Sequence, residues 1–325
     1  MRVLLIKPGA IGDLLQLSPV VRAIKRSRPQ ARITILVGNS ASVDLFRYNP
    51  AVDEVLVYEK KGVHRSWSAF GKLWRELRKR RFDLVVNYQR SNLKGWLLAA
   101  ASFPCRVLVY HKEKRRVMHA VENHLKAVAP LVGDPGTLDQ RLELYLGGED
   151  KRWAEELLAR ESLNGKMLVA LNLGASHPVN RWPTRRFAEL SDKLQAAGFG
   201  VVLVGGGSDR ELADAVLADC ADRPLDLVGR TTLLQLGALL ERSSAVVSAD
   251  TGPMHMATAV GTPVVALFGA ADPARTGPVG EGHLVLQAAG ISCVPCRSRS
   301  CSSEKKLACM EAISADEVLA ALKTI

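Results

Sequence analysis

The sequence predicts an α/β chain made of two Rossmann-like, doubly wound domains with parallel sheets. Three observations lead there. Short apolar runs alternate with helix-length amphipathic stretches along the chain, as strands covered by crossover helices require. The 325 residues exceed the roughly 250–300 that one core usually holds. Apolar residues make up 47% of the chain, enough for two cores and too many for wholesale disorder.

In the first half, Val3–Ile6, Ile33–Val37, Val55–Tyr58, Leu84–Asn87 and Val107–Tyr110 read as strands, with helices over Leu14–Arg26 and Ser66–Arg80. In the second half the strands are Leu168–Leu171, Val201–Val204, Leu225–Val228, Ala245–Ser248 and Val264–Phe268. Their crossovers are Arg185–Ala197, Arg210–Ala218, Leu233–Leu240 and Pro253–Val260, and Ala315–Leu322 closes the chain. Gly147-Gly148, just ahead of the charged helix Lys151–Arg160, marks a boundary, so the domains are expected at 1–150 and 151–325. Arg2–Lys7 already reads as a strand with no cleavable signal ahead of it. The longest apolar stretch, Trp96–Phe103, falls far short of the roughly 20 residues that span a bilayer. A soluble, cytoplasmic chain is the expectation.

Charge is unevenly placed. Residues 1–150 hold 26 Lys and Arg against 14 Asp and Glu, whereas residues 151–325 hold 18 against 19. The N-terminal half is therefore expected to meet something anionic, such as nucleic acid, a phosphorylated glycolipid or a membrane face; a basic solubilising surface is the plainer alternative. Nucleic acid is disfavoured because aromatics are only 5% of the chain and do not interleave with the basic clusters. A nicotinamide enzyme is disfavoured too. In Gly205-Gly206-Gly207-Ser208-Asp209-Arg210 the third glycine of the dinucleotide fingerprint is Arg210, and Pro8–Asp13 has the wrong spacing. A Walker A loop is absent.

The segment Asp250-Thr251-Gly252-Pro253-Met254-His255 lies between two apolar runs, with Gly252-Pro253 opening a helix. A helix N-terminus at the carboxyl edge of a parallel sheet is a ready seat for a diphosphate. Phe268-Gly269 follows the next strand, and three other patterns accompany this one: Lys7-Pro8-Gly9-Ala10-Ile11-Gly12-Asp13 with Ser18-Pro19, Leu173-Gly174-Ala175-Ser176 with Arg181-Trp182-Pro183, and Val204-Gly205-Gly206. As a set the four resemble glycosyltransferase family 9, the heptosyltransferases of the lipopolysaccharide inner core.

The resemblance implies the GT-B architecture, with acceptor bound mainly by the N-terminal half and nucleotide sugar by the C-terminal half. It implies inverting transfer of heptose from ADP-heptose, or another nucleotide sugar, to a phosphorylated glycolipid. The enzyme would be cytoplasmic and peripheral on the inner face of the inner membrane. It makes Asp13 the base, against the plainer reading that Asp13 only caps the following helix. Gly12, Ser176, Asn180, Arg181, Asp250, Thr251, Gly252 and His255 fall on the donor side. Thr251 and Gly252 N–H groups, the Ser176 hydroxyl and His255 would meet the leaving diphosphate, and Asp250 the ribose or the turn itself. Trp182 and Pro183 are expected to pack. Asn180 stands where family members often carry lysine, with Arg181 beside it; Arg for Lys is not a neutral exchange. No Asp-x-Asp motif occurs in the chain, so the transfer is expected to need no metal or other cofactor.

Basic clusters follow three N-terminal strands: Lys60, Lys61, His64 and Arg65; Arg90 and Lys94; and Lys112, Lys114, Arg115 and Arg116. Lys60, Lys61, His64, Arg65, Arg90 and Arg115 are the expected acceptor contacts. The run Arg78–Arg81 lies at a helix end and reads as dipole complement and surface. Four of six cysteines, Cys293, Cys296, Cys301 and Cys309, share one loop region. A structural zinc or iron, reduced thiols and disulfides all stay open for them.

Overall fold

A computed structural model describes residues 1–60, 62–89, 93–113 and 116–325. Of the expected acceptor contacts, Lys61, Arg90 and Arg115 lie outside the described residues. The chain forms two compact units, Met1–Tyr145 and Leu146–Ile325.

The N-terminal unit runs β1 (Arg2–Ile6), α1 (Ile11–Leu15), α2 (Ser18–Ser27), β2 (Arg32–Val37), β3 (Glu54–Val57), α3 (Trp67–Arg80), β4 (Leu84–Asn87), α4 (Leu93–Ala100), β5 (Arg106–Val109) and α5 (Ala120–Val132). Its five strands are all parallel, in the order β3-β2-β1-β4-β5. Leu4 and Ile6 of β1 point to one face, where Phe70, Leu73 and Leu77 of α3 and Leu98 of α4 cover them. Val3 and Leu5 point to the other and are equally buried. Full burial of each such side chain contributes about 1.5–3 kcal/mol, which is why the strand reads as an unbroken apolar run.

The C-terminal unit runs α6 (Gly148–Arg160), β6 (Leu168–Asn172), α7 (Thr184–Ala196), β7 (Gly200–Val204), α8 (Arg210–Asp219), β8 (Leu225–Asp226), α9 (Leu233–Glu241), β9 (Ala245–Ala249), α10 (Gly252–Ala259), β10 (Val264–Phe268), α11 (Pro273–Thr276), β11 (Leu284–Gln287), α12 (Ala308–Glu311) and α13 (Ala315–Leu322). Six parallel strands lie in the order β11-β10-β9-β6-β7-β8. Helix α13 opens on a capping box, with Ser314 accepting from the Glu317 N–H and Glu317 accepting from the Ser314 N–H. It packs with α7 into the core cluster that holds Val169, Leu171, Leu203 and Leu267.

Both sheets reverse their winding beside the first strand. In the N-terminal unit β1 is flanked by β2 and β4, and in the C-terminal unit β6 is flanked by β7 and β9. Ligands of open α/β sheets bind outside the carboxyl ends of strands at this switch. The loops after β1 and β4, and after β6 and β9, are therefore the positions to inspect.

One expectation needs correction. The single helix over Leu14–Arg26 is two, α1 and α2, broken at Gln16-Leu17. Pro19 sits in the first turn of α2, and the Ser18 hydroxyl donates to the Leu15 carbonyl, which ends α1. Helices α4, α5, α11 and α12 and the edge strand β11 are not among the elements the sequence predicts. Among the described residues no helix is long and apolar enough to cross a membrane.

Candidate active site

The loop Lys7–Ala10 leaves β1 at the N-terminal switch and enters α1, whose N-cap is Ala10 and carries no side-chain cap. Asp13 is thus in the first turn, not at the cap. Its side chain remains 48% exposed, and Lys7 Nζ donates to its Oδ1 at 3.2 Å. Gly9 makes room: a Cβ there would lie 3.0 Å from Asp13 Cβ and 3.1 Å from Oδ2. Lys7 Nζ also lies 3.3 Å from Nε2 of His124, a buried residue of α5. An ammonium only donates, so Nε2 accepts and the ring proton belongs on Nδ1. Tyr88, just after β4, donates its hydroxyl to the His124 carbonyl at 3.1 Å and packs edge-on to the ring.

The electrostatics of this group point one way. Burial works to raise the Asp13 pKa, but the Lys7 charge and hydrogen bond, helped by the Ala10 N–H, bring it below the usual 3.8. Burial first, then the Lys7 charge, push His124 down to about 3, so its ring is neutral near pH 7. The result is an ionised carboxylate held by one ammonium over a neutral imidazole. In Lys7→Met the lowering influence of the ammonium goes and burial remains. The acid limb of kcat/KM, which reports the free enzyme's base, is then expected to move upward from its wild-type position. An unmoved limb in a pH–rate profile would show that Lys7 does not set the state of Asp13.

In the C-terminal unit the side chains at the switch tie the loops after β6 and β9 together. Asn172 Nδ2, at the end of β6, donates to Gly174 O (3.2 Å), Ser248 Oγ (3.0 Å) and Thr251 Oγ1 (2.9 Å). Thr251 is the N-cap of α10 but makes no side-chain cap, its hydroxyl being turned to Asn172 and Ser248. The Thr251 side chain thus does not cap the first-turn N–H groups of α10, an arrangement in which a helix N-terminus suits an anion. Asn172→Leu would leave buried oxygens without their donor, at a cost of about 1–3 kcal/mol. A lower urea midpoint is the expected result, and an unchanged one would refute the network's structural weight.

The remaining C-terminal residues divide by exposure and partner. Asp250 Oδ2 accepts from the Thr276 hydroxyl at 2.8 Å, and Oδ1 lies 3.8 Å from Nε2 of the buried His255. Ser176 is exposed; Asn180 and Arg181 are half-buried in the same loop after β6. Trp182 packs edge-on to Phe187 with ring centroids 4.8 Å apart and donates its indole N–H to the Ile313 carbonyl. Any side chain at Gly174 would collide with the Asp209 carboxylate, which accepts from the Gly206 N–H.

Among the described residues, no hydrogen bond or ion pair joins Lys60, His64 or Arg65 to Asp13. Lys60 and Arg65 are exposed, and His64 Nδ1 accepts from the Glu59 N–H at 3.1 Å. These residues follow β3, two strands away from β1. Gly12 is buried within α1.

The four loop cysteines are free thiols: Cys293 and Cys296 exposed, Cys301 half-buried and Cys309 buried. Hydrogen bonds from the Leu307 and Ser303 N–H groups lower the Cys301 thiol. Burial raises Cys309, with Cys293 and Cys296 near enough to add to this. Among the described residues no three His, Cys, Asp or Glu side chains gather so as to hold a metal ion.

Residues 70–307 match the model of glycosyltransferase family 9 (heptosyltransferase). The chain belongs to that family. Lipopolysaccharide heptosyltransferase 3 of Escherichia coli (strain K12) is 26% identical to this family 9 chain over 342 residues, covering 97% of it and 95% of the relative. The crystal structure of the glycosyl transferase family 9 from Veillonella parvula DSM 2008 superposes with a TM-score of 0.87 at 26% identity, over 99% and 96% of the two chains. The structure of E. coli ADP-heptose lps heptosyltransferase II gives 0.80 at 24% identity, over 100% and 98%. The fold is accordingly GT-B, two parallel-sheet domains with flanking helices.

Two groups in this family 9 chain escaped the sequence reading. His124 was missed because α5 was, although Val121, Leu125 and Val128 recur at helical spacing behind the His119 N-cap. Asn172, Ser248 and Thr276 carry no motif of their own, and only the fold brings them to Thr251 and Asp250.

Proposed function

We propose that the chain is an inverting, metal-independent heptosyltransferase that moves heptose from ADP-heptose to the phosphorylated inner core of lipopolysaccharide. Membership in family 9 supports the class, and the Lys7-held carboxylate of Asp13 carries the mechanism. Asp13 takes the proton of the acceptor hydroxyl as that oxygen attacks the anomeric carbon of the donor. The bond from that carbon to the diphosphate breaks, and the nucleoside diphosphate leaves with the electron pair. The Thr251 and Gly252 N–H groups at the start of α10, the Ser176 hydroxyl, Arg181 and His255 meet its charge. Asp250, bound to Thr276, orders the turn ahead of α10.

Acceptor phosphates fall to Lys60, Lys61, His64, Arg65, Arg90 and Arg115, with residues 1–150 as the acceptor domain and 151–325 as the nucleotide-sugar domain. The enzyme works in the cytoplasm, peripheral on the inner face of the inner membrane. Neither nucleic acid nor a cofactor takes part. Asn180, in place of the family's usual lysine, favours testing a second reading in which the donor is another nucleotide sugar or the acceptor a protein. A catalytically silent nucleotide-sugar binder is disfavoured because binding alone has no need of an ionised carboxylate at Asp13.

Nucleotide release from ADP-, UDP- and GDP-sugars, with and without an inner-core acceptor and in EDTA, separates these readings. Acceptor-dependent release from ADP-heptose alone, undiminished by EDTA, is expected. Release from a UDP- or GDP-sugar would move the chain to the second reading. Loss in EDTA restored by magnesium would contradict the metal-independent route.

A further inference from the structure

Among the described residues, the four most exposed large apolar side chains are Leu93 (72%), Val63 (70%), Phe103 (70%) and Trp67 (68%). All four lie around α3 and α4 of the N-terminal unit. On α4, Leu93, Trp96 and Ala100 recur at three- and four-residue spacing and are exposed, so they share one helix face, with Phe103 just past its end. Lys94 joins this row to the start of α3: its ammonium lies 3.5 Å from the carbonyl oxygens of His64 and Arg65 and 5.1 Å from the centre of the Trp67 ring. At the other end Arg78 reaches the Ala101 and Phe103 carbonyls.

Cations border the row. Lys72, Arg75 and Lys79 repeat at helical spacing on α3 and are all exposed. Glu76, the only acidic residue of α3, is paired with Arg80 at 3.2 Å. At the foot of the two helices, Arg75, Arg78, Lys79, Arg81 and Phe103 line an open hollow of about 640 Å³, with one carboxylate, Asp83, whose Oδ2 accepts from the Arg2 N–H at 2.7 Å. Ser102 lines it too, and its buried hydroxyl has no hydrogen-bond partner among the described residues.

We propose that the α3/α4 face docks on an anionic lipid bilayer. Trp67, Leu93, Trp96 and Phe103 enter the interfacial layer, where aromatic and aliphatic side chains are favoured. The α3 cations pair with headgroup phosphates, and the hollow with Ser102 and its arginines seats one of them. Charge decides the occupant. A second copy would set two cationic rows against each other, whereas an anionic membrane complements the row while covering its apolar neighbour. The inference rests on the lipid-linked acceptor of the proposed function for its purpose, but vesicles free of any sugar acceptor test it separately.

The full chain is floated with vesicles of phosphatidylethanolamine and phosphatidylglycerol, and with phosphatidylcholine vesicles as control. Binding to the anionic vesicles alone, weakened by salt, is expected. Leu93→Ser with Phe103→Ser, and Lys72→Glu with Lys79→Glu, should each lower binding about tenfold or more, since apolar insertion and charge both contribute. Both double variants alter exposed side chains, so melting temperature should hold, and transfer to a detergent-dispersed acceptor should stay near wild type. Equal binding to neutral vesicles, full binding by either double variant, or a solution dimer lost in Leu93→Ser/Phe103→Ser without vesicle binding would each overturn the proposal.

Discussion

Asp13→Asn is expected to lower turnover about a hundredfold or more while leaving the donor KM within a few-fold, the usual reach of general-base catalysis. The amide is nearly isosteric, so the α1 turn persists, but it cannot take the acceptor's proton. Lys7 would lose its ion pair and keep His124 as acceptor, so the loop should remain folded. Steady-state kinetics with saturating donor separate the two quantities. Turnover within a few-fold of wild type would leave Asp13 as a first-turn residue that favours the α1 dipole and nothing more.

Gly9→Val is expected to cost nearly as much without touching the chemistry of the carboxylate. A Cβ added at Gly9 would stand 3.0 Å from Asp13 Cβ, and the branched methyl groups of valine would occupy space near Oδ2. Asp13 must then move off Lys7, and a displacement of about 1 Å can cost roughly a hundredfold in rate. The loop Lys7–Ala10 lies outside the sheet, so melting temperature should change little. Turnover lost together with stability would instead mean that Gly9 serves the fold.

Much of the fold was readable because strands covered on both faces must be apolar throughout. Leu84–Asn87 and Val264–Phe268 match β4 and β10 at both ends. Trp96–Phe103 is an apolar run by composition, while helical spacing across Leu93–Ala100 leaves Leu93 and Trp96 exposed. The α1–α2 break is set locally by Ser18-Pro19. The candidate site was readable only where a motif is contiguous, as at Lys7–Asp13 and Asp250–His255. Asn172 reaches Ser248 and Thr251 across separations of 76 and 79 residues, and His124 reaches Lys7 across 117. Such partners follow from strand order, which no single segment encodes.

Mass spectrometry of an inner-core acceptor after incubation with ADP-heptose tests the central claim most directly. With the wild-type chain the acceptor should gain one heptosyl residue, and with Asp13→Asn it should stay unmodified over the same interval. An acceptor left unmodified by the wild-type chain, or modified equally by both, would contradict the account.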